Sequence, residues 1–134
     1  ILQKRAVRII DGASSRCHGI PLFVKYNILT LPSMYVLNCV LYAKNNLDNF
    51  ATNGDCHDDM TRNRNNLQIR KNKYTVIKNS FHSISIKLLN SLPSVVKHLR
   101  VNNFRAQLRF TLTANPLYKL DNFFFILFGE KYSY

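Results

Sequence analysis

The spacing of apolar residues constrains the fold of this 134-residue chain most, because it repeats at helical intervals in three separate stretches. The first follows a Thr-Leu-Pro sequence at residues 30–32, which is typical of a helix start. Ser80 can cap the second, which ends before Pro93, and Asn102 or Asn103 can cap the third. The predicted inner faces are Met34, Leu37, Val40, Leu41 and Leu47; Phe81, Ile84, Leu88 and Leu92; and Phe104, Leu108 and Leu112.

Both ends of the chain also favour helix. Residues 1–10 place Leu2, Ala6, Ile9 and Ile10 on one helical face, and Asp11-Gly12 ends that segment. A short helix is predicted from Pro21 to Tyr26, because proline suits the first helical position. The apolar residues 120–128 predict one or two further turns.

The middle of the chain has a different character. Residues 49–66 are rich in Asn and Asp and are predicted to form a loop, whereas residues 67–77 are predicted to be extended or a weak hairpin. The predicted fold class is therefore mostly α: a small helical domain of about four to five helices with a long basic connection in the middle. Since the chain opens at Ile1 without Met, we expect residues 1–134 to be one helical region of a larger polyprotein, with residues 49–79 as its polar and basic segment.

Charge indicates the class of partner. The chain has 19 Lys and Arg against 7 Asp and Glu, a formal charge of +12, and six of the basic residues lie between Arg62 and Lys78 without an acid. Clustered cations attract nucleic acid, because each neutralised phosphate releases counterions. The spacing does not discriminate RNA from DNA. The predicted contact residues are Arg62, Arg64, Arg70, Lys71, Lys73 and Lys78 for phosphates, with Tyr74 to stack on a base.

Two patterns raise the question of a metal site. Asp58-Asp59 resembles the paired carboxylates of two-metal polymerases, but it lies in a polar stretch without flanking apolar strands. Cys17-His18 and Cys56-His57 are adjacent pairs, which do not match the ligand spacing of structural zinc sites. No nucleophile elbow or glycine-rich phosphate loop is present in the sequence. We therefore predict no catalytic residue, no metal site and no cofactor in this chain.

Apolar length and cysteine usage bear on location. The longest apolar run, residues 123–128, has six residues, whereas a membrane-spanning helix needs about 20. Three cysteines with irregular spacing suit a reducing compartment better than a disulfide framework. The chain is therefore predicted to be intracellular and without a membrane partner.

Five strings, taken in order, carry a resemblance to a known family. The strings are residues 2–10 (LQKRAVRII), Pro21-Leu22-Phe23 with residues 28–32 (ILTLP), His57 with Thr61-Arg62-Asn63, residues 86–93 (IKLLNSLP), and residues 104–112. With these strings the chain resembles, over roughly residues 1 to 120, the C-terminal tail of reverse transcriptases from non-LTR retrotransposons of the Jockey-like, arthropod type.

The resemblance implies an RNA-directed DNA polymerase as the parent protein. Its magnesium-dependent catalytic aspartates would lie upstream of Ile1, so this region would follow the thumb and handle nucleic acid without catalysing polymerisation. The implied partners are RNA, DNA or both, and the upstream polymerase domain. The implied location is a ribonucleoprotein in nucleus and cytoplasm.

Two alternatives remain at this point. The helices could pack on the upstream polymerase as a structural module, with the charge incidental, or the chain could be a non-functional remnant of an element. The apolar ending after Asp121 departs from the family's polar finish.

Overall fold

The structure is a computed structural model that describes residues 2–128. These residues form nine α-helices and one 3-10 turn, and two of them, Thr52 and Leu67, form an isolated antiparallel bridge. The α-helices are α1 (Leu2–Asp11), α2 (Gly19–Lys25), α3 (Leu31–Asn45), α4 (Asn53–Cys56), α5 (Thr75–Lys78), α6 (Phe81–Ser91), α7 (Ser94–Lys97), α8 (Val101–Ala114) and α9 (Asp121–Phe128), and the 3-10 turn is Leu47–Asn49.

The mostly α prediction is confirmed. Five of the helices have eight or more residues, and α4, α5 and α7 are single turns of four residues. The contacts divide the chain into two compact units, one formed by residues 1–37 and 105–134 and the other by residues 38–104. Each of α3 and α8 contributes residues to both units.

The unit of residues 1–37 and 105–134 has a small apolar core of Val7, Leu22 and Phe23. A buried hydrogen-bond cluster lies at the start of α3. There the Thr30 hydroxyl donates to the Leu117 carbonyl, and the Leu117 N–H donates to Ser33 Oγ over 3.1 Å. Thr30 Oγ1 also accepts from the Ser33 N–H at 3.3 Å, which confirms the predicted cap.

One face of α1 is exposed. Leu2, Ile9 and Ile10 are 81%, 71% and 67% exposed, whereas Val7, on another face, is 3% exposed. Gly12, with φ +71°, follows the end of the helix as predicted. The apolar residues share one face as the sequence predicted, but that face is exposed to solvent.

In the unit of residues 38–104, α6 begins and ends as predicted. Ser80 caps it by accepting from the Ser83 N–H at 3.3 Å, and the helix ends two residues before Pro93. Leu88 and Leu92 are buried, but Phe81 is 42% exposed, so the predicted inner face is wrong at its first position. Ser85 and Leu89 take the inward positions because the buried face is rotated by about one residue from the predicted one.

Two other helix predictions need correction. In α3 the buried face begins at Ser33 and continues through Val36, Leu37 and Val40. Met34 lies about 100° around the helix axis from Ser33 and is 44% exposed. The predicted inner residue Leu47 lies beyond the helix and is 39% exposed. In α8 the first residue is Val101, so Asn102 and Asn103 lie inside the helix rather than capping it, although Phe104, Leu108 and Leu112 are all buried as predicted.

Candidate nucleic-acid interface

The basic segment, residues 62–78, lies within the unit of residues 38–104 and is largely exposed. Of the seven predicted contact residues, Arg64 is half-buried, and Arg62, Arg70, Lys71, Lys73, Tyr74 and Lys78 are exposed. Tyr74 is 68% exposed and precedes the single turn α5, which ends at Lys78. The exposed cations are therefore placed where phosphates could reach them.

The segment is anchored at its start by backbone pairing. Residues 51–54 and 64–68 run antiparallel: the Asn53 N–H donates to Asn66 O, the Gly54 N–H to Arg64 O, and the Gln68 N–H to Ala51 O, over 2.8–2.9 Å. The predicted weak hairpin within residues 67–77 is therefore wrong in position. Leu67 pairs back with Thr52, and Thr75–Lys78 is helical.

Helix α4 begins within the first of these paired stretches, at Asn53, and is held by a capping box. The Asp55 carboxylate accepts from both the Thr52 N–H and the Thr52 hydroxyl at 2.8 Å. These two hydrogen bonds lower the pKa of Asp55 below its ordinary value. The predicted loop over residues 49–66 therefore includes one ordered helical turn.

Arg64 has a structural role in this turn. Its side-chain stem crosses Gly54, where a β-carbon would lie 2.7 Å from Arg64 Cγ, so glycine permits the close approach. The guanidinium contacts Met60 Sδ at 3.0 Å and the Asp58 carbonyl at 3.5 Å. Of the predicted contact residues, Arg64 is therefore the one already engaged with its own loop.

Asn90 on α6 fastens the basic segment to the helices. Its side-chain oxygen accepts from the Leu67 N–H at 3.0 Å, and its amide nitrogen donates to the Leu67 carbonyl at 2.8 Å. One side chain thus satisfies both backbone groups of a residue that is itself 6% exposed.

We expect Asn90→Ala to lower the free energy of unfolding by about 1–3 kcal/mol, since it leaves a buried N–H and carbonyl without partners. Urea denaturation measures the change, and amide hydrogen exchange at Leu67 should accelerate in parallel. Asn103→Ala, at an exposed position of α8, is the matched control and should change stability little. Equal effects of the two substitutions would contradict the assigned role of Asn90.

The basic cleft, a concavity of about 510 Å³, lies beside Arg62. Two further cations line it, Lys44 from α3 and Lys97 from α7, together with His98 and the amides of Asn65, Asn66 and Asn90. The sequence singled out Arg62 but missed Lys44 and Lys97, since no local spacing indicates that these residues meet.

Lys97 is held in place by neutral oxygen atoms. Its ammonium group donates to Asn90 O at 2.9 Å and to Asn66 Oδ1 at 3.2 Å, and partial burial lowers the pKa of Lys97 below its ordinary value. Lys44 donates to the Lys97 carbonyl and lies 5.3 Å from the centroid of the Phe104 ring. Both cations are therefore fixed by contacts within their own unit.

The aromatic cleft, of about 460 Å³, lies beside Arg70 and Asn72. Phe50 and His82 line it with ring centroids 4.8 Å apart, and Tyr42 contacts Phe81 at 5.0 Å nearby. Tyr74, the residue predicted to stack, does not line this cleft. No spacing in the sequence associates Phe50 with His82, 32 residues later.

The residues considered for metal binding are dispersed. Asp58, Asp59 and His57 are exposed, and the Cys56 thiol lies 3.0 Å from Gln68 Oε1. The Cys17 thiol contacts the His18 carbonyl at 3.6 Å in the other unit. Within residues 2–128, no three His, Cys, Asp or Glu side chains are grouped so that they could hold a metal ion.

Each unit carries a formal charge of +6, so the basic segment is distinguished by its run of cations without an acid and not by the net charge of its unit. None of the helices that the structure describes has the length and apolar character needed to span a bilayer. Comparison with protein-family models, curated proteins and solved structures finds no match to the chain.

Proposed function

We propose that this chain is the C-terminal, post-thumb region of a non-LTR retrotransposon RNA-directed DNA polymerase, and that it binds RNA or DNA without forming the catalytic centre. The observation that carries the proposal is the exposure of the acid-free basic segment on an ordered helical support. With 19 basic and 7 acidic residues, the chain cannot neutralise its own charge, so a polyanion is the partner that its electrostatics favour.

The strings that carry the family resemblance are consistent with this role. Arg62, from the Thr-Arg-Asn string, and Asn90, from the string at residues 86–93, line the same basic cleft. Asn90 also fixes Leu67, which lies within the paired stretch of residues 64–68. Residues 2–10, the first string, lie entirely within α1. Two separate strings thus contribute residues to one local arrangement.

The binding proposal predicts a steep salt dependence. For a single-stranded oligonucleotide, the slope of log K against log salt should be about −4 if six cations each contact a phosphate, since each contact contributes about −0.7. Fluorescence anisotropy with labelled 20-nucleotide RNA and DNA, between 50 and 200 mM salt, measures it. An affinity too weak to detect at 50 mM, or a slope near zero, would overturn the proposal.

A second candidate function has one specific observation in its favour. The exposed apolar face of α1, formed by Leu2, Ile9 and Ile10, supports a structural module that packs on the upstream polymerase. On that view the isolated chain should self-associate, and Ile9→Gln with Ile10→Gln should make it monodisperse in light scattering. A monodisperse, cooperatively melting unmodified chain would count against the structural role.

A further inference from the structure

The basic cleft concentrates positive charge without a carboxylate among the described residues that line it. Its cations are Lys44, Arg62 and Lys97, and they come from α3, the basic segment and α7. Three elements distant in sequence therefore converge on one concavity. A volume of about 510 Å³ falls within the roughly 300–1,000 Å³ range of small-molecule sites.

The Lys97 ammonium of the basic cleft is held by neutral acceptors. The Lys97 ammonium has three N–H donors and uses two on neutral acceptors, Asn66 Oδ1 and Asn90 O. Because those acceptors carry no charge, the partly buried ammonium retains an uncompensated positive charge, in keeping with its lowered pKa. An anion in the cleft would compensate that charge. The attraction between the anion and the Lys97 ammonium becomes stronger as the local dielectric constant falls.

Polar groups in the cleft are suited to an oxyanion with several acceptor oxygens. Arg62 offers a forked guanidinium, Lys97 an ammonium, and Asn65 an exposed amide. A carboxylate has two oxygens on one side of a carbon, whereas a phosphate presents oxygens in several directions. Donors that come from separate elements around a concavity therefore match a phosphate better.

We propose that the basic cleft binds one phosphoryl group, with Lys97 and Arg62 as its direct contacts and Lys44 as a supporting cation. The group is either a phosphodiester of a nucleic-acid strand or the phosphate of a free nucleotide. If the group is a phosphodiester, the inference rests on the proposed function and adds Lys44 and Lys97 to the contact residues that the sequence indicated.

The experiment follows the side-chain resonances of Lys97 by NMR in the unmodified chain. The probes are adenosine, AMP, and a ten-nucleotide oligonucleotide without terminal phosphates. We expect the oligonucleotide to shift the Lys97 signals and to raise the pKa of Lys97, while adenosine has no effect. A shift with AMP alone also supports the phosphoryl site and assigns it to free nucleotides. Lys97 signals that respond to neither phosphate-bearing probe overturn the proposal.

Substitutions provide the second arm. Lys97→Gln should weaken oligonucleotide binding about 5-fold at 0.1 M salt, the loss expected for one phosphate contact. Lys87→Gln removes the same charge from an exposed position of α6 that does not line the cleft, and should leave the affinity within 2-fold. If both variants bind the oligonucleotide like the unmodified chain, which still shows a salt slope, the phosphodiester form of the proposal fails, the AMP arm decides the free-nucleotide form, and the proposed function stands. If the unmodified chain binds no oligonucleotide, the proposed function fails and the AMP arm alone decides the cleft.

Discussion

Replacing Arg62, Arg70, Lys71 and Lys73 together by Gln is expected to weaken binding of a single-stranded oligonucleotide about 1,000-fold at 0.1 M salt. Each lost phosphate contact removes about 0.7 from the salt slope, and at 0.1 M this corresponds to about 0.7 decades of affinity. Four contacts therefore account for about three decades. All four side chains are exposed, so the substitutions should leave the fold and the free energy of unfolding nearly unchanged.

The matched control removes the same charge from the other unit. Arg5, Arg105, Arg109 and Lys119 are exposed and lie in residues 1–37 or 105–134, which carry an equal formal charge of +6. Their joint substitution by Gln should reduce affinity several-fold, through the general field of the protein, and should leave the salt slope almost intact. Anisotropy titrations at three or more salt concentrations separate the two outcomes. Equal losses in the two variants would mean that net charge alone drives association and that the basic segment has no special role.

Sequence alone predicted the start or end of several helices because those signals are local. Thr30 caps α3 and Ser80 caps α6 through a side-chain oxygen and a backbone N–H three residues later. Gly12 follows the end of α1, and Pro93 lies just beyond the end of α6. The stripe of Phe104, Leu108 and Leu112 was also predicted correctly, since it repeats every four residues and has polar neighbours on either side. Each of these features depends on residues within about one helical turn.

The errors arise where a distant contact decides the outcome. Ser33 opens the buried face of α3 because its hydroxyl accepts from the Leu117 N–H, 84 residues away, and that polar inward residue masks the true apolar stripe. Leu67 pairs with Thr52 and is fixed by Asn90, and Thr75–Lys78 is helical, so the hairpin does not form within residues 67–77. No spacing in the sequence indicates these partners.

Only part of the candidate interface could be predicted from the sequence. Composition identified the basic segment, because a run of cations without an acid is visible in the sequence itself. It could not identify Lys97, whose position depends on Asn66 and Asn90, or Lys44, which lies over Phe104. It also could not show that Arg64 crosses Gly54 and contacts Met60 in its own loop. The contribution of a single cation to binding is therefore set by tertiary contacts that the sequence pattern does not contain.

Phe104→Ala is expected to lower the free energy of unfolding by about 3–5 kcal/mol, because it removes a fully buried aromatic ring and leaves a cavity. The ring is 0% exposed, whereas Phe110, on the same helix, is 72% exposed. A loss of this size is a large fraction of the roughly 5–15 kcal/mol that stabilises a domain. Urea denaturation followed by circular dichroism measures it.

Phe110→Ala is the matched control, and its stability should lie within about 0.5 kcal/mol of the unmodified chain, because alanine favours helix at an exposed position. Phe104→Leu separates ring loss from cavity formation and should cost less than Phe104→Ala. Phe104→Ala is also expected to affect binding. Lys44 would lose the ring beside its ammonium group, and this contact helps to fix Lys44 beside the basic cleft. Similar stabilities for Phe104→Ala and Phe110→Ala would show that α8 does not bury the face assigned to it, and the placement of Lys44 would then lose its support.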